Sequence, residues 1–160
     1  MAELSRRSEE GAALRRAQEL GRRTEYLAFS LGGDAYAVRI ELISEILRPP
    51  PITEVPRAPR SVRGVVSVRG RLVTVVDARS RLRLPETPFD GRARMLLAHH
   101  YGEAMGLLVD EVHQVYRLAD SEIEPAAALG GEQPPYILGI GRPSSGGLLV
   151  LLDLAQVLEV

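Results

Sequence analysis

The sequence predicts a mainly β protein built from two related small lobes with short helices, preceded by an N-terminal helix. Three observations carry this expectation. From Tyr26 onward, short runs of strand-forming residues are separated by Gly, Pro and Asp. Two stretches of that region repeat one another's pattern. The segment before it has helix composition instead, rich in Ala, Glu, Leu and Arg and without Pro.

The chain has 160 residues, of which 45% are apolar and 26% charged, with a net charge of -1. That length allows one compact domain or two small lobes sharing a core. Taken in order, residues Ala2 to Arg23 put Ala13, Leu14, Ala17 and Leu20 at helical spacing. The stripe is narrow and Gly11 weakens it, so this helix is expected to pack on the β-body or on a partner and to be dispensable for folding. We therefore expect an extension over residues 1–24 and a single β-domain over 25–160.

Strand runs follow at Tyr26–Leu31, Ala35–Val38, Val62–Val68, Leu72–Val76, Met95–His99, Ala104–Val109, Tyr136–Ile140 and Leu148–Leu152. Two Pro-rich connectors, Pro49 to Pro59 and Pro125 to Pro135, cannot be central strands. Ser144-Ser145-Gly146-Gly147 reads as a hairpin turn. The repeat lays Gly33 to Ile46 on Gly102 to Val115 without a gap, and Val62-Arg63-Gly64-Val65 on Ile137-Leu138-Gly139-Ile140. Both halves end in an apolar strand, an Asp and a short helix, at Asp77 and Asp153, where an N-cap is the expected role. The lobes so defined run from about 26 to 85 and from about 94 to 153, with a C-terminal helix at about 154–159. Each is too small to be stable alone, so they should share a core.

Composition removes several chemistries. There is no Cys, hence no disulfide, thiolate nucleophile or thiolate metal site. All 20 basic residues are Arg, so no P-loop, kinase or Schiff-base Lys exists. His99 and His100 point to opposite faces of a regular strand and cannot chelate one ion together. No Ser stands in Gly-x-Ser-x-Gly, and Gly139-x-Gly141 leads into a Pro and a turn rather than a helix. Neither catalysis, nor a metal, nor a cofactor is expected, and a small hydrolase or metalloprotein is the rejected alternative. The longest apolar run, Gly146 to Leu152, falls far short of the roughly 20 residues a spanning helix needs. With no secretory signal in Met1 to Glu10, a cytoplasmic location is expected.

Charge is unevenly placed. Arg57 to Arg83 carries about +7, and Glu103 to Glu159 about -7. The basic stretch has no aromatic residue to stack a base, which argues against nucleic acid. Within it, Arg69-Gly70 is the sharpest feature: Gly suits a tight hairpin, and the Arg before it stands either as a solvated turn residue or as an anchor for a partner's carboxylate.

Over Tyr26 to Leu158 the chain resembles the CheW-like chemotaxis coupling proteins. The resemblance rests on Gly32 to Tyr36, Glu45-Ile46, Pro56 to Pro59, the Gly64 to Gly70 hairpin, Val76 to Arg79 and Val109 to Val112. Ser67-Val68 stands where the family has Asn-Leu, Thr74 where it has Pro, and Ala78 where it has Leu. The resemblance implies two intertwined five-stranded barrels and a non-enzymatic adaptor. Its partners would be the cytoplasmic tip of a chemoreceptor and the regulatory domain of a CheA-type histidine kinase. A specialised homologue binding only one of these, in a non-standard motility or gene-control pathway, is the alternative it leaves open. It also implies partner-binding roles for Arg69 with its neighbours Val68 and Gly70, and for Ile43 with Glu45. From the residues alone, Ile43 is equally a core residue and Glu45 a solvated strand residue.

Overall fold

The computed structural model describes the backbone of residues 2–160 and the side chains of residues 5–15 and 22–160. Helix α1 (Ala2–Gly21) is followed by β1 (Thr24–Leu31), β2 (Asp34–Arg39), β3 (Glu45–Leu47), β4 (Val62–Val68), β5 (Arg71–Asp77) and α2 (Ala78–Arg81). The second half contributes β6 (Arg94–His100), β7 (Glu103–Val109), β8 (Glu111–Leu118), β9 (Ile123–Pro125), β10 (Ile137–Gly141), β11 (Leu149–Leu152) and α3 (Leu154–Val157). The protein is mainly β, and the eight predicted strands are present within one or two residues of their expected ends.

Three strands lie outside the sequence reading. β3 and β9 are three residues long, too short to show a period, and β9 ends on Pro125 at a sheet edge, where a missing N–H is tolerated. β8 is long, but half of its side chains are exposed and the run gives no clean alternation.

The strands form a six-stranded sheet in the order β8-β1-β2-β11-β10-β9 and a five-stranded sheet in the order β3-β6-β7-β5-β4. Six and five thus replace the expected five and five. The sheets do not follow the sequence halves 26–85 and 94–153. The β1-β2 hairpin joins strands of the second half, and the β6-β7 hairpin joins strands of the first. Two parallel pairings make the exchange: β11 on β2 (Val150 opposite Tyr36) and β5 on β7 (Thr74 opposite Met105). The halves are therefore intertwined.

This exchange explains why the central strands are apolar on both faces. Tyr26, Ala28, Ala37, Leu118, Leu149 and Leu151 pack within the six-stranded sheet. Val66, Val73, Val75, Met95, Leu97 and Leu108 pack within the five-stranded one. The alternate faces of the same strands, including Leu27, Phe29, Val38, Leu96 and Leu107, meet between the sheets, where Ala78, Leu154, Val157 and Leu158 from the two short helices complete the central cluster. Both helices start on the expected caps: Asp77 accepts from the Ser80 N–H at 3.3 Å, and Asp153 from the Gln156 N–H at 3.4 Å.

The expected apolar stripe of α1 does not dock on the β-body at its described positions. Ala13 is exposed and Leu14 is 64% exposed. Ala17 and Leu20 lie outside the described side chains. Too little apolar area is offered at Ala13 and Leu14 to offset the ordering cost of docking.

Candidate partner-binding site

Strands β4 and β5 are joined by a two-residue turn, Arg69-Gly70, with φ of 48° and 79° and Val68 opposite Arg71. Two positive φ values in succession match the right-handed twist of a hairpin. Gly adopts such a backbone without cost, whereas an L-residue with a Cβ gives up roughly 1–2 kcal/mol. Arg69 occupies the costly position, and the turn holds its side chain clear of the sheet.

That side chain reaches the opposite edge of the sheet. β3 and β4 are the two outer strands of the five-stranded order, yet Arg69 Nη1 donates to Glu45 Oε1 at 3.1 Å and Nη2 donates to Oε2. The sheet is therefore curled until its edges meet. A second seam closes it further down, where the Thr53 and Val65 N–H groups each donate to the other's carbonyl at 2.9 Å. Gly64 makes this approach possible, because a Cβ there would lie 2.1 Å from the Thr53 carbonyl oxygen. Gly139 holds the matching place in the other sheet, with a Cβ falling 2.2 Å from the Glu124 carbonyl oxygen. Each lobe thus uses one Gly of the repeat to let a neighbouring backbone segment, the Thr53 connector or strand β9, come close to it.

The Arg69–Glu45 pair is a fork-to-fork contact between a guanidinium and a carboxylate, open to solvent on both sides. The hydrogen bonds from Arg69 hold the Glu45 carboxyl below its ordinary range, and Glu45 in turn raises the Arg69 guanidinium. An exposed pair of this kind adds little to stability. It does present a planar, oriented charge pair on a rigid element.

Of the five residues singled out from the sequence, the fold brings four together: Val68, Arg69 and Gly70 at the hairpin tip and Glu45 beside them. Val68 is half-buried against the core of its own sheet. Ile43 is different. It precedes β3 by two residues and packs on the central cluster between the sheets, so its side chain anchors the segment that carries Glu45. The sequence reading passed over the apolar neighbours Leu42 and Ile46, 45% and 43% exposed, and Leu72, 75% exposed, just past the turn. Their periodicity could not separate a strand face turned inward from one turned outward. Among the described residues, no group of three His, Asp or Glu side chains is placed to hold a metal. His99 is exposed, while His100 bonds Glu159 at 2.7 Å.

Residues 25–160 match the family model of the CheW-like domain. The chain belongs to the CheW-like family. A chemotaxis protein CheW from Rhizobium meliloti is 31% identical over 134 residues, which cover 83% of this chain and 86% of that protein. Protein PilI from Pseudomonas aeruginosa is 30% identical over 115 residues, or 71% of this chain and 65% of PilI. The crystal structure of the scaffolding protein TtCheW from Thermoanaerobacter tengcongensis superposes with a TM-score of 0.78 at 24% identity, covering 86% of this chain and 94% of TtCheW. That likeness establishes a CheW-like fold for the two strand-exchanged sheets.

Proposed function

We propose that this CheW-like protein is a non-enzymatic cytoplasmic adaptor that couples the tip of a chemoreceptor to the regulatory domain of a CheA-type histidine kinase. The observation that carries this reading is the Arg69–Glu45 fork, held at a closed sheet edge with exposed apolar residues beside it. A rigid, oriented charge pair on segments that also expose Leu42, Ile46 and Leu72 has the make-up of a contact surface, not of a reaction centre. The carboxylates that could serve chemistry are otherwise engaged: Asp77 and Asp153 cap helices, and Asp110 pairs with Arg79.

The test is separate pull-down of a receptor-tip fragment and a kinase regulatory domain by the parent, by Arg69→Glu, and by the charge swap Arg69→Glu/Glu45→Arg. Reversing one charge should weaken at least one partner by about tenfold or more, and the swap should recover part of the loss. Unchanged binding of both partners by Arg69→Glu would remove the site. The similarity to PilI, a relative that does not carry the CheW name, favours a second reading, in which the chain serves a specialised pathway and binds one of the two partners. Capture of only one by the parent would select it.

A further inference from the structure

We infer that an open basic cleft at the base of the β4-β5 hairpin is a second docking surface, shaped for an acidic segment of a protein partner. The cleft, 580 Å³ and so within the roughly 300–1,000 Å³ of ligand-sized clefts, is lined by Arg60, Ser61, Ser80, Arg81, Arg83 and Glu86 among others. Arg81 is fixed in place, donating from Nε to the Val157 carbonyl at 3.0 Å and from Nη2 to the Gln156 carbonyl at 2.8 Å. Arg60 and Arg83 are exposed, and among the described residues neither side chain has a hydrogen-bond or ion-pair partner.

Arg63, Arg69, Arg92 and Arg142 each face a carboxylate of the chain. Exposed Arg48, Arg57 and Arg71 also face no carboxylate, but they stand elsewhere and do not line this cleft; what marks the cleft is that three guanidiniums share it. They surround one carboxylate, Glu86, and the positive field is left for a ligand to neutralise. Guanidinium forks and two serine hydroxyls suit carboxylates. No aromatic side chain lines the cleft, so a nucleobase would find no stacking surface. The volume far exceeds that of a single small anion and fits several side chains of a peptide.

The position gives the cleft a use independent of what Arg69 contacts. Arg69 sits at the hairpin tip, whereas Arg60, Ser61 and Ser80 flank its base, seven strand residues away. At about 3.3 Å per residue the two displays are roughly 20 Å apart. Two partners can therefore occupy the one hairpin together.

The experiment titrates a labelled Glu-rich peptide into the full-length parent, Arg60→Glu/Arg83→Glu and Arg69→Glu, with inorganic phosphate and a single-stranded oligonucleotide as competitors. The parent and Arg69→Glu should bind the peptide alike. The double reversal should bind about tenfold or more weakly, and added salt should narrow the gap. Should the double reversal fail to fold, Arg60→Gln/Arg83→Gln carries the same comparison. No binding by the parent, equal binding by the double variant, or loss in Arg69→Glu alone would overturn the inference. So would phosphate competing as well as unlabelled peptide, which marks a small-anion site, or preferred binding of the oligonucleotide. Because the Arg69 variant is read in parallel, failure here leaves the coupling assay intact.

Discussion

The Nε of Arg79 lies 2.6 Å from Oδ1 of Asp110, joining the helix that ends the first half to the strand end of the second. The approach is off the ideal N–H···O direction, so this is an ion pair more than a directed hydrogen bond. Around it, Arg79 Nη1 donates to the Thr87 carbonyl, and the guanidinium lies 4.3 Å from the centre of the Phe89 ring. The other Asp110 oxygen accepts the Gly32 N–H at 2.8 Å, from the β1-β2 turn of the opposite sheet. One charge pair thus ties α2, the connector between the halves and both sheets.

Arg79→Met should therefore destabilise the protein by about 3–5 kcal/mol, because it leaves a carboxylate with no counter-charge in a nearly closed site. Thermal unfolding should fall by about 10 °C or more in a chain of this size. Adding Asp110→Asn should restore part of the loss, since Asn still accepts the Gly32 N–H and carries no charge. A fall of only 1 to 2 °C, roughly 0.5 kcal/mol, would mean that the pair is not a tie between the sheets.

Asp77 is 3% exposed, and burial raises its carboxyl above the ordinary range, against the lowering effects of the Ser80 N–H and of Arg63. The folded state therefore holds the proton more tightly than the unfolded chain. Its contribution to stability is greatest at acid pH and declines as pH climbs from the unfolded carboxyl value through the raised one. Asp77→Asn keeps the cap and removes this decline, so its stability at neutral pH should equal or exceed that of the parent. Asp77→Ala should lose about 1 kcal/mol with the cap. Melting curves across pH check both; a steeper decline for Asp77→Asn than for the parent would contradict the assignment.

A fragment of residues 26–92 should be unfolded or aggregated. It contains β2 and β5 but lacks their parallel partners β11 and β7, and it leaves half of the central cluster in water. A well-dispersed amide spectrum from this fragment would show that the half folds without the exchange.

Removal of residues 1–22 should change the melting point by no more than about 2 °C, because the described part of α1 buries too little to stabilise the body. Arg23 stays in the truncated chain, since it donates to the Arg117 carbonyl at 3.3 Å and lies 3.8 Å from Glu122. A loss of about 10 °C or more, several kcal/mol in a domain of this size, would make the helix part of the core.

The hairpin tip was legible because a turn is a local event: Arg69-Gly70 between two apolar runs has few other conformations open to it. The caps at Asp77 and Asp153 were legible for the same reason. Glu45 could be named only through a family motif, and its meeting with Arg69 could not be read at all. Their contact depends on a sheet curling until β3 and β4, its two edges, face each other. The basic cleft was visible as a charge run, yet which of its Arg residues lack a counter-charge depended on where the fold placed Asp77, Glu45 and Glu86.

By itself the sequence determined the β character, the internal duplication, the turns and caps, and the absence of Lys and Cys chemistry. These are set by periodicity and composition over short spans. Only the tertiary structure decided that the β1-β2 and β6-β7 hairpins trade places between the halves. Strands such as β2 and β5 are apolar on both faces, so their pattern does not say which neighbour each face will meet. Pairing across a hundred residues is selected by the burial of both faces at once, a property of the assembled core and not of any one strand.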